Sequence, residues 1–366
     1  MGCALDLALR GRFGASPNPM VGAVVVDPAG NLVGEGYHAA WGSPHAEIMA
    51  LGQAGARARG GTLYVTLEPC SHHGKTPPCV DAIVAAGIQR VVVALRDPNP
   101  VASGGVERLR AEGIEVAVTS GSASARLLNR RWLKSVRQRR PWVTLKAAMS
   151  IDGRIATRSG QSQWITGESA RVRSLELREE HDAILVGIGT VLADNPRLTR
   201  RLGLNPGLRW RRIVVDSHLR TPISSRIVES EPDMTLLVHT EAADPERRER
   251  LQDAGVETLE VATDEQGRVA LPSLLDELGR REIAALLVEG GSQVHGAFVD
   301  GDLYDEVVLF VAPMIIGGGG LPAIGGTGVD ALTQAPRLEL ESIERRDDDL
   351  ELRGVRQEDE SVHGVD

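Results

Sequence analysis

Short apolar runs alternate with helix-patterned segments along nearly the whole chain, and this alternation limits the fold more than any other feature of the sequence. In the front block, "VGAVVVD" and "LVGEGYH" read as paired strands around the turn "PAGN". A helix from Pro44 follows, then the strand "TLYVTL", a helix from Pro78 to Gly87, the strand "RVVVAL", a helix near 104–112 and the strand "IEVAV". In the rear block the strands are "PWVTLKAA", "AILVGI", "RRIVVD", "TLLVHT", "AALLVEGG" and "DEVVLFVAP", with helices near 167–180, 245–254, 271–281 and 291–299. Thr166 stands where it would cap the first of these helices, and Glu168 where it would meet the positive end of the helix dipole. Strands that must pass through a helix before the next strand predict a mixed α/β layer in front and a largely parallel, doubly wound sheet behind.

Between the blocks lies the basic stretch "RLLNRRWLKSVRQRR", residues 126–140. It reads as a solvated helix joining two domains, because the charge is local while the chain as a whole carries −9. That balance gives no general attraction to polyanions, and Phe 3, Tyr 3 and Trp 5 leave few rings on which bases would stack. The expected division is a first domain over 1–122, a linker helix over 123–140, a second domain over 141–355 and a polar tail over 356–366. The apolar runs are strand-sized and no basic segment with an apolar h-region opens the chain, so the expected address is the cytosol, away from membranes. Cys3, Cys70 and Cys79 are too few for a disulfide framework. Cys3, in a first helix that opens at Met1, is expected to be a buried small apolar residue.

The other two cysteines lie in "LEPCSHHGKTPPCV", residues 67–80. Cys70 follows Pro69 at a strand exit. Cys79 opens a helix, where the dipole favours thiolate. Upstream, "GSPHAEIMALGQAG" begins another helix, with Ser43 placed to cap it, Pro44 at its first position, Gly55 at its end, and His45 and Glu47 in its first turn. His45, Cys70 and Cys79 make three ligands suited to zinc and leave one position for water, the mark of a catalytic rather than a structural site. Glu47 is then the proton carrier. His72 and His73 compete as ligands; either one would close the water position, so both are placed, with Lys75, near the substrate.

This H-x-E with P-C…C pattern is the signature of zinc-dependent nucleobase deaminases, although here eight residues, not two, separate the cysteines. "PNPMVGAVVV", "GEGYH", "PHAE", "YVTLEPCSHHGKTPPC" and "DPNP" resemble, in order and spacing, the deaminase half of the bifunctional riboflavin-biosynthesis deaminase-reductases. "VTLKAAMSIDGRIAT", "SGQSQWIT", "VGIGTVLADNPRLT", "IVVDS" and "LLVEGG" continue the resemblance through the rear block, to roughly residue 355. The start departs from the family, which has several more residues ahead of its first helix.

The resemblance implies a cytidine-deaminase-like three-layer domain followed by a doubly wound domain like dihydrofolate reductase. It implies that the first removes an amino group from 2,5-diamino-6-(5-phosphoribosylamino)pyrimidin-4(3H)-one with zinc on His45, Cys70 and Cys79 and with Glu47 shuttling protons. Asn18, His38, Lys75, Asp97 and Asn99 match positions around that phosphorylated pyrimidine. Asn18 and Asn99, flanked by prolines, also suit turns. The second domain, by resemblance, reduces the ribosyl group of 5-amino-6-(5-phosphoribosylamino)uracil to ribityl with NADPH, and "LLVEGGSQVHGAF" offers a helix start for a phosphate. Gly291, Ser292, Gln293, Val294, His295, Gly296 and Ala297 match the cofactor-phosphate loop, while Ala148, Trp164, Thr190, Asp194 and Ser217 match other cofactor contacts. Ser162, Arg178, Leu198, Arg201 and Glu289 match substrate contacts. Lys146 is a candidate on its own account, as a lysine alternating with apolar neighbours on a strand expected to be buried. Asp152 reads as an Asp-Gly turn and "IIGGGG" as a loop, over the cofactor or plain. The family also implies a homo-oligomer. The rival reading is a deaminase of nucleic acids or nucleosides with a degenerate second domain, which would need a basic, aromatic-lined groove. A further rival, a structural zinc in a binding module, would need a fourth protein ligand.

Overall fold

The computed structural model describes residues 1–72, 77–119, 123–204 and 210–357. Met1–Arg139 form one compact unit, and Arg140–Gly203 with the chain from Trp210 form a second.

The first unit runs α1 (Gly2–Leu9), β1 (Gly22–Val26), β2 (Leu32–Tyr37), α2 (Ala46–Ala54), β3 (Thr62–Val65), α3 (Cys79–Ala85), β4 (Arg90–Val93), α4 (Gly105–Ala111), β5 (Glu115–Val118) and α5 (Ala123–Gln138). Its sheet has the order β2-β1-β3-β4-β5, with β1 antiparallel to both neighbours and β3, β4 and β5 parallel. Side chains alternate across the sheet. Val25, Leu63, Val65 and Val91 pack with Ala50 of α2, Ile83 of α3 and Leu109 of α4 on one face. On the other face Val24 meets Ala4 and Leu7 of α1, and Ala125, Trp132 and Leu133 of α5 meet Leu67, Ala94 and Leu95. The result is three layers. The basic helix expected to link domains is therefore packed on the first unit through an apolar stripe, and Asn129 within it exchanges hydrogen bonds with the backbone of Met20. Cys3 corrects an expectation: it is exposed, because Ala4, Leu7 and Ala8 form the inward stripe of α1 and Cys3 lies off it.

The second unit runs β6 (Trp142–Ser150), β7 (Arg154–Ala156), α6 (Glu168–Glu179), β8 (Ala183–Gly187), α7 (Ile188–Asp194), β9 (Arg211–Val215), α8 (Arg226–Glu229), β10 (Thr235–His239), α9 (Pro245–Asp253), β11 (Glu257–Glu260), α10 (Leu271–Arg280), β12 (Ala285–Val288), α11 (Ser292–Asp300), β13 (Glu306–Ala312), β14 (Leu321–Pro322), β15 (Leu338–Arg346) and β16 (Asp349–Arg356). The large sheet has the order β11-β10-β9-β8-β12-β6-β13-β16-β15. It is parallel from β11 through β13, and β16 and β15 close it as an antiparallel hairpin. Leu274 and Phe298 place α10 and α11 on one face, while Val191, Ile227, Leu251 and Leu177 place α7, α8, α9 and α6 on the other. The doubly wound expectation holds. After β8 the chain steps outward to β9, and after β12 it steps the opposite way to β13, so the β8–β12 boundary is a topological switch point, where open α/β sheets hold ligands beyond their strand ends.

Two helix starts differ from expectation. α2 begins at Ala46 with His45 extended at its N-cap, and Ser43 turns its hydroxyl back to Ala40 instead of capping. α6 is capped at Gly167, whose N–H is taken by the Asp349 carboxylate, so Thr166 is not its cap. No helix among the described residues is long and apolar enough to cross a membrane.

Candidate active sites

In the first unit the site depends on how closely α2 lies on β2. A Cβ on Gly34 would stand 2.1 Å from the Ala50 carbonyl oxygen, and one on Gly36 would stand 2.3 Å from that of Ala46. The "GEG" of β2 thus seats the helix whose N-cap is His45 and whose first turn holds Glu47. His45 Nδ1 lies 3.2 Å from Cys79 Sγ and 3.6 Å from Cys70 Sγ. The Cys79 backbone N–H donates to Cys70 Sγ at 3.4 Å. These three donors lie within 4.8 Å of one another, the only such group of metal-ligand type among the described residues, so no described side chain closes the cluster.

The electrostatics fit a cation. The hydrogen bond from Cys79, against some opposition from burial and with help from His45, holds the Cys70 thiol down at about 4. Cys79 is pushed up because it carries the proton the two sulfurs share. His45 is raised, chiefly by its hydrogen bond with Cys70. A divalent ion among the three would replace that shared proton. Soft sulfur with one imidazole nitrogen is a donor set for zinc. Glu47 is buried, and burial pushes its carboxyl up to about 7.

Asn18 Nδ2 lies 3.1 Å from His38 Nε2, and His38 Nδ1 lies 3.3 Å from the Pro44 carbonyl. The His38 ring meets the His45 ring edge-on at 5.6 Å. Asp97 is partly buried, and burial first, with the charges of Glu68 and Cys70 adding, pushes it up to about 6. Asn99 is a turn residue here: its N–H goes to Asp97 Oδ1 at 2.8 Å and its Oδ1 accepts from Val101 N at 3.1 Å. Lys75 and His73 lie outside the described residues; His72 is described and is not among the three donors. One residue that sequence reasoning passed over is Glu68, 4% exposed, whose carboxylate faces the loop bearing Asp97 and Asn99. A charged residue at the end of an apolar strand was the available signal.

In the second unit, Lys146 and Ala148 alternate with buried Leu145 and Ala147 on β6, opposite Val308 and Phe310 of β13. The Lys146 ammonium lies 5.8 Å from the centre of the Phe310 ring, and burial lowers its pKa. Arg178 donates to both Glu289 oxygens at 2.8 Å and to the Thr199 carbonyl at 3.3 Å. Burial opposes ionisation of Glu289, but Arg178 and Lys146 outweigh it and hold the carboxyl at about 2. The structure therefore brings Lys146, Arg178 and Glu289 together.

Beyond the ends of β8 and β12, Gly187 N–H donates to the Gly290 carbonyl at 2.8 Å, and α7 and α11 both start there. Thr190 Oγ1 stands 3.4 Å from where a Gly291 side chain would begin, and Ser292 Oγ is buried with no hydrogen-bond partner among the described residues. Free N–H groups at a helix start, two hydroxyls and a side-chain-free glycine suit an anionic cofactor group. The remaining candidates divide. Ser162 Oγ approaches Asp194 Oδ1 at 3.5 Å, Gln293 and Arg201 are exposed, and Trp164 is 69% exposed beneath the Arg171 guanidinium. Ala297 is half-buried and Val294 packs against Gly187. His295 has both ring nitrogens on carbonyl oxygens, Ala323 at 3.0 Å and Val288 at 3.1 Å. Gly296 lies under the Gly325–Gly326 backbone, Leu198 is in the core, and Ser217 Oγ accepts from Val269 N. The side chains of His295, Leu198 and Ser217 are thus engaged within the fold, and Gly296 gives the neighbouring backbone its close approach. Asp152 accepts from Ser150 Oγ and from the N–H groups of Ile316 and Gly317, so it ties the glycine loop to the end of β6.

The chain's similarities follow the same two units. Residues 141–352 match the RibD C-terminal domain, and residues 1–95 match the cytidine and deoxycytidylate deaminase zinc-binding region. The riboflavin biosynthesis protein RibD of Aquifex aeolicus is 42% identical over 351 residues, 96% of each chain. Among solved structures, Acinetobacter baumannii RibD superposes with a TM-score of 0.87 at 37% identity, over 97% of each chain. A Thermotoga maritima diaminohydroxyphosphoribosylaminopyrimidine deaminase/5-amino-6-(5-phosphoribosylamino)uracil reductase gives 0.82 at 37%, again over 97% of each.

Proposed function

The chain belongs to the RibD family of riboflavin-biosynthesis enzymes, which join a deaminase to a reductase, and from that premise we propose how its own residues divide the two reactions. The supporting observation is the convergence of His45, Cys70 and Cys79, with Glu47 buried in the first turn of the helix that His45 caps. The substrate of the first unit is the diamino-pyrimidinone ribosyl phosphate.

His45 Nδ1 and the sulfurs of Cys70 and Cys79 would hold a zinc ion, which would supply an acidified water as the nucleophile. Glu47 takes the proton from that water on a carboxylate oxygen and returns it to the departing amine; a buried carboxyl near neutrality suits both halves of this transfer. Asn18, His38, Asp97 and Asn99 frame the substrate, and Lys75 answers its phosphate. The first domain extends through α5, and the second begins at β6.

In the second unit Gly291, Ser292 and Gln293 at the α11 start, together with Thr190, would hold NADPH, which would supply the hydride for the sugar's C1′. Reduction of that carbon frees a ring oxygen, which needs a proton. Glu289, held far below the usual carboxylate range by Arg178 and Lys146, stays ionised and can only accept hydrogen bonds. Lys146 is therefore the donor, through Nζ.

The RibD C-terminal match across the whole second unit speaks against a degenerate domain. The purified protein should convert the diamino-pyrimidinone phosphate, contain one zinc per chain, and oxidise NADPH only after deamination. Failure to release ammonia from this substrate overturns the reading for the first unit. Absence of NADPH oxidation with the deaminated intermediate overturns it for the second.

A further inference from the structure

We propose that Glu68 is a positioning residue for deamination, holding the substrate loop 96–104 in register with the loop that carries Cys70. The inference rests on the deaminase reading of the first unit. Glu68 is two residues before Cys70 and is itself fixed by a backbone bond from its N–H to the Leu95 carbonyl at 2.8 Å. Its buried carboxylate is used up by main-chain donors of the facing loop. Oε2 accepts from Asp97 N at 3.1 Å, and Oε1 accepts from Gly104 N at 3.1 Å and Val106 N at 2.9 Å. One side chain thus fixes both ends of the segment that presents Asp97 and Asn99.

Neighbouring contacts run the same way. Ser71 Oγ donates to the Ser103 carbonyl at 2.7 Å, and Arg108 Nη1 donates to the Ser71 carbonyl at 3.3 Å. A Cβ on Gly105 would stand 1.9 Å from the Pro69 carbonyl oxygen, so the two loops touch backbone to backbone. The position of Asp97 relative to Cys70 is therefore set by Glu68, and none of the three donors offers a place for an N–H in return. Only a carboxylate meets all three.

Glu68→Gln separates the bond to Asp97 N from the bonds to Gly104 N and Val106 N. The amide oxygen keeps the side where two N–H groups converge, Gly104 and Val106, and the NH₂ then opposes the Asp97 N–H. The expected result is a KM for the diamino-pyrimidinone phosphate raised about tenfold, with kcat, zinc content and NADPH-dependent reduction close to wild type. In a double-mutant cycle with Asp97→Ala, Glu68→Gln should add little further, because it acts through that residue. An unchanged KM, a loss of zinc and kcat without a KM effect, or full additivity with Asp97→Ala each overturns the proposal. If Glu68→Gln fails to fold, as loss of a cooperative thermal transition would show, Glu68→Asp keeps the charge but shortens the reach and carries the same expectations. Wild-type protein that does not deaminate the substrate would overturn the deaminase reading itself and this inference with it.

Discussion

Arg178 meets both oxygens of Glu289 at 2.8 Å in a two-pronged pair between α6 and the end of β12, with side chains only 13% and 10% exposed. Two residues that resemblance assigns separately to the substrate are thus each other's first partners. Glu289 orients against Arg178 and turns its negative field on Lys146.

The pair sets a pH dependence. The folded Glu289 sits at about 2, below its ordinary 4.5. A depressed carboxyl contributes stability that is fully present above its unfolded pKa and is lost as pH falls through the folded value. The amount is on the order of 3 kcal/mol. Glu289→Gln should be less stable than wild type at neutral pH, since it leaves Arg178 buried without its counter-charge. Its unfolding midpoint should then fall less steeply than wild type's between pH 4.5 and 2. Parallel curves for the two proteins would contradict the pairing.

Lys146→Met should preserve NADPH binding while slowing NADPH oxidation with the deaminated intermediate by about 10²–10⁴-fold, the usual contribution of a positioned acid. Titration of NADPH fluorescence alongside turnover separates the two effects. A variant with intact turnover would move the proton donor elsewhere.

Glu47→Gln should retain its zinc and lose about 10²–10⁴-fold in deamination, whereas Cys79→Ser should lose metal and deamination together. Both should reduce the deaminated intermediate at the wild-type rate, because the reductase residues lie in the other unit. Metal analysis with the two assays checks this. A Glu47→Gln enzyme of full activity would remove Glu47 as the proton carrier.

Gly36→Ala places a methyl 2.3 Å from the Ala46 carbonyl and 2.6 Å from Ala50 N, so α2 must lift from the sheet. The expected cost is ~1–3 kcal/mol in stability, with deamination lost more severely than stability because His45 and Glu47 ride on that helix. Thermal melts and ammonia release together would show it, and a variant indistinguishable from wild type in both would mean that α2 is not held there.

The sequence by itself determined the order of buried strands and the helices between them, because apolar periodicity records which side chains must leave water. It also determined the ligand triad, since His45, Cys70 and Cys79 have a donor chemistry and placement at element ends that few other functions need. It did not reveal the β15–β16 hairpin or β11, whose strands alternate charge with the few apolar residues and, in β15 and β11, lie at the sheet's two edges. Nor did it reveal that Cys3 faces solvent, that Ser43 and Thr166 leave the capping to their neighbours, or that α5 packs on the first unit. Tertiary structure alone decided which charges pair. Arg178 with Glu289 is a contact between residues 111 positions apart, and Glu68 with Gly104 and Val106 joins two loops through main-chain donors that have no sequence signature. Side-chain chemistry is written in the order of residues, but a hydrogen bond depends on distance and direction, which exist only once the sheet has brought its strand ends together.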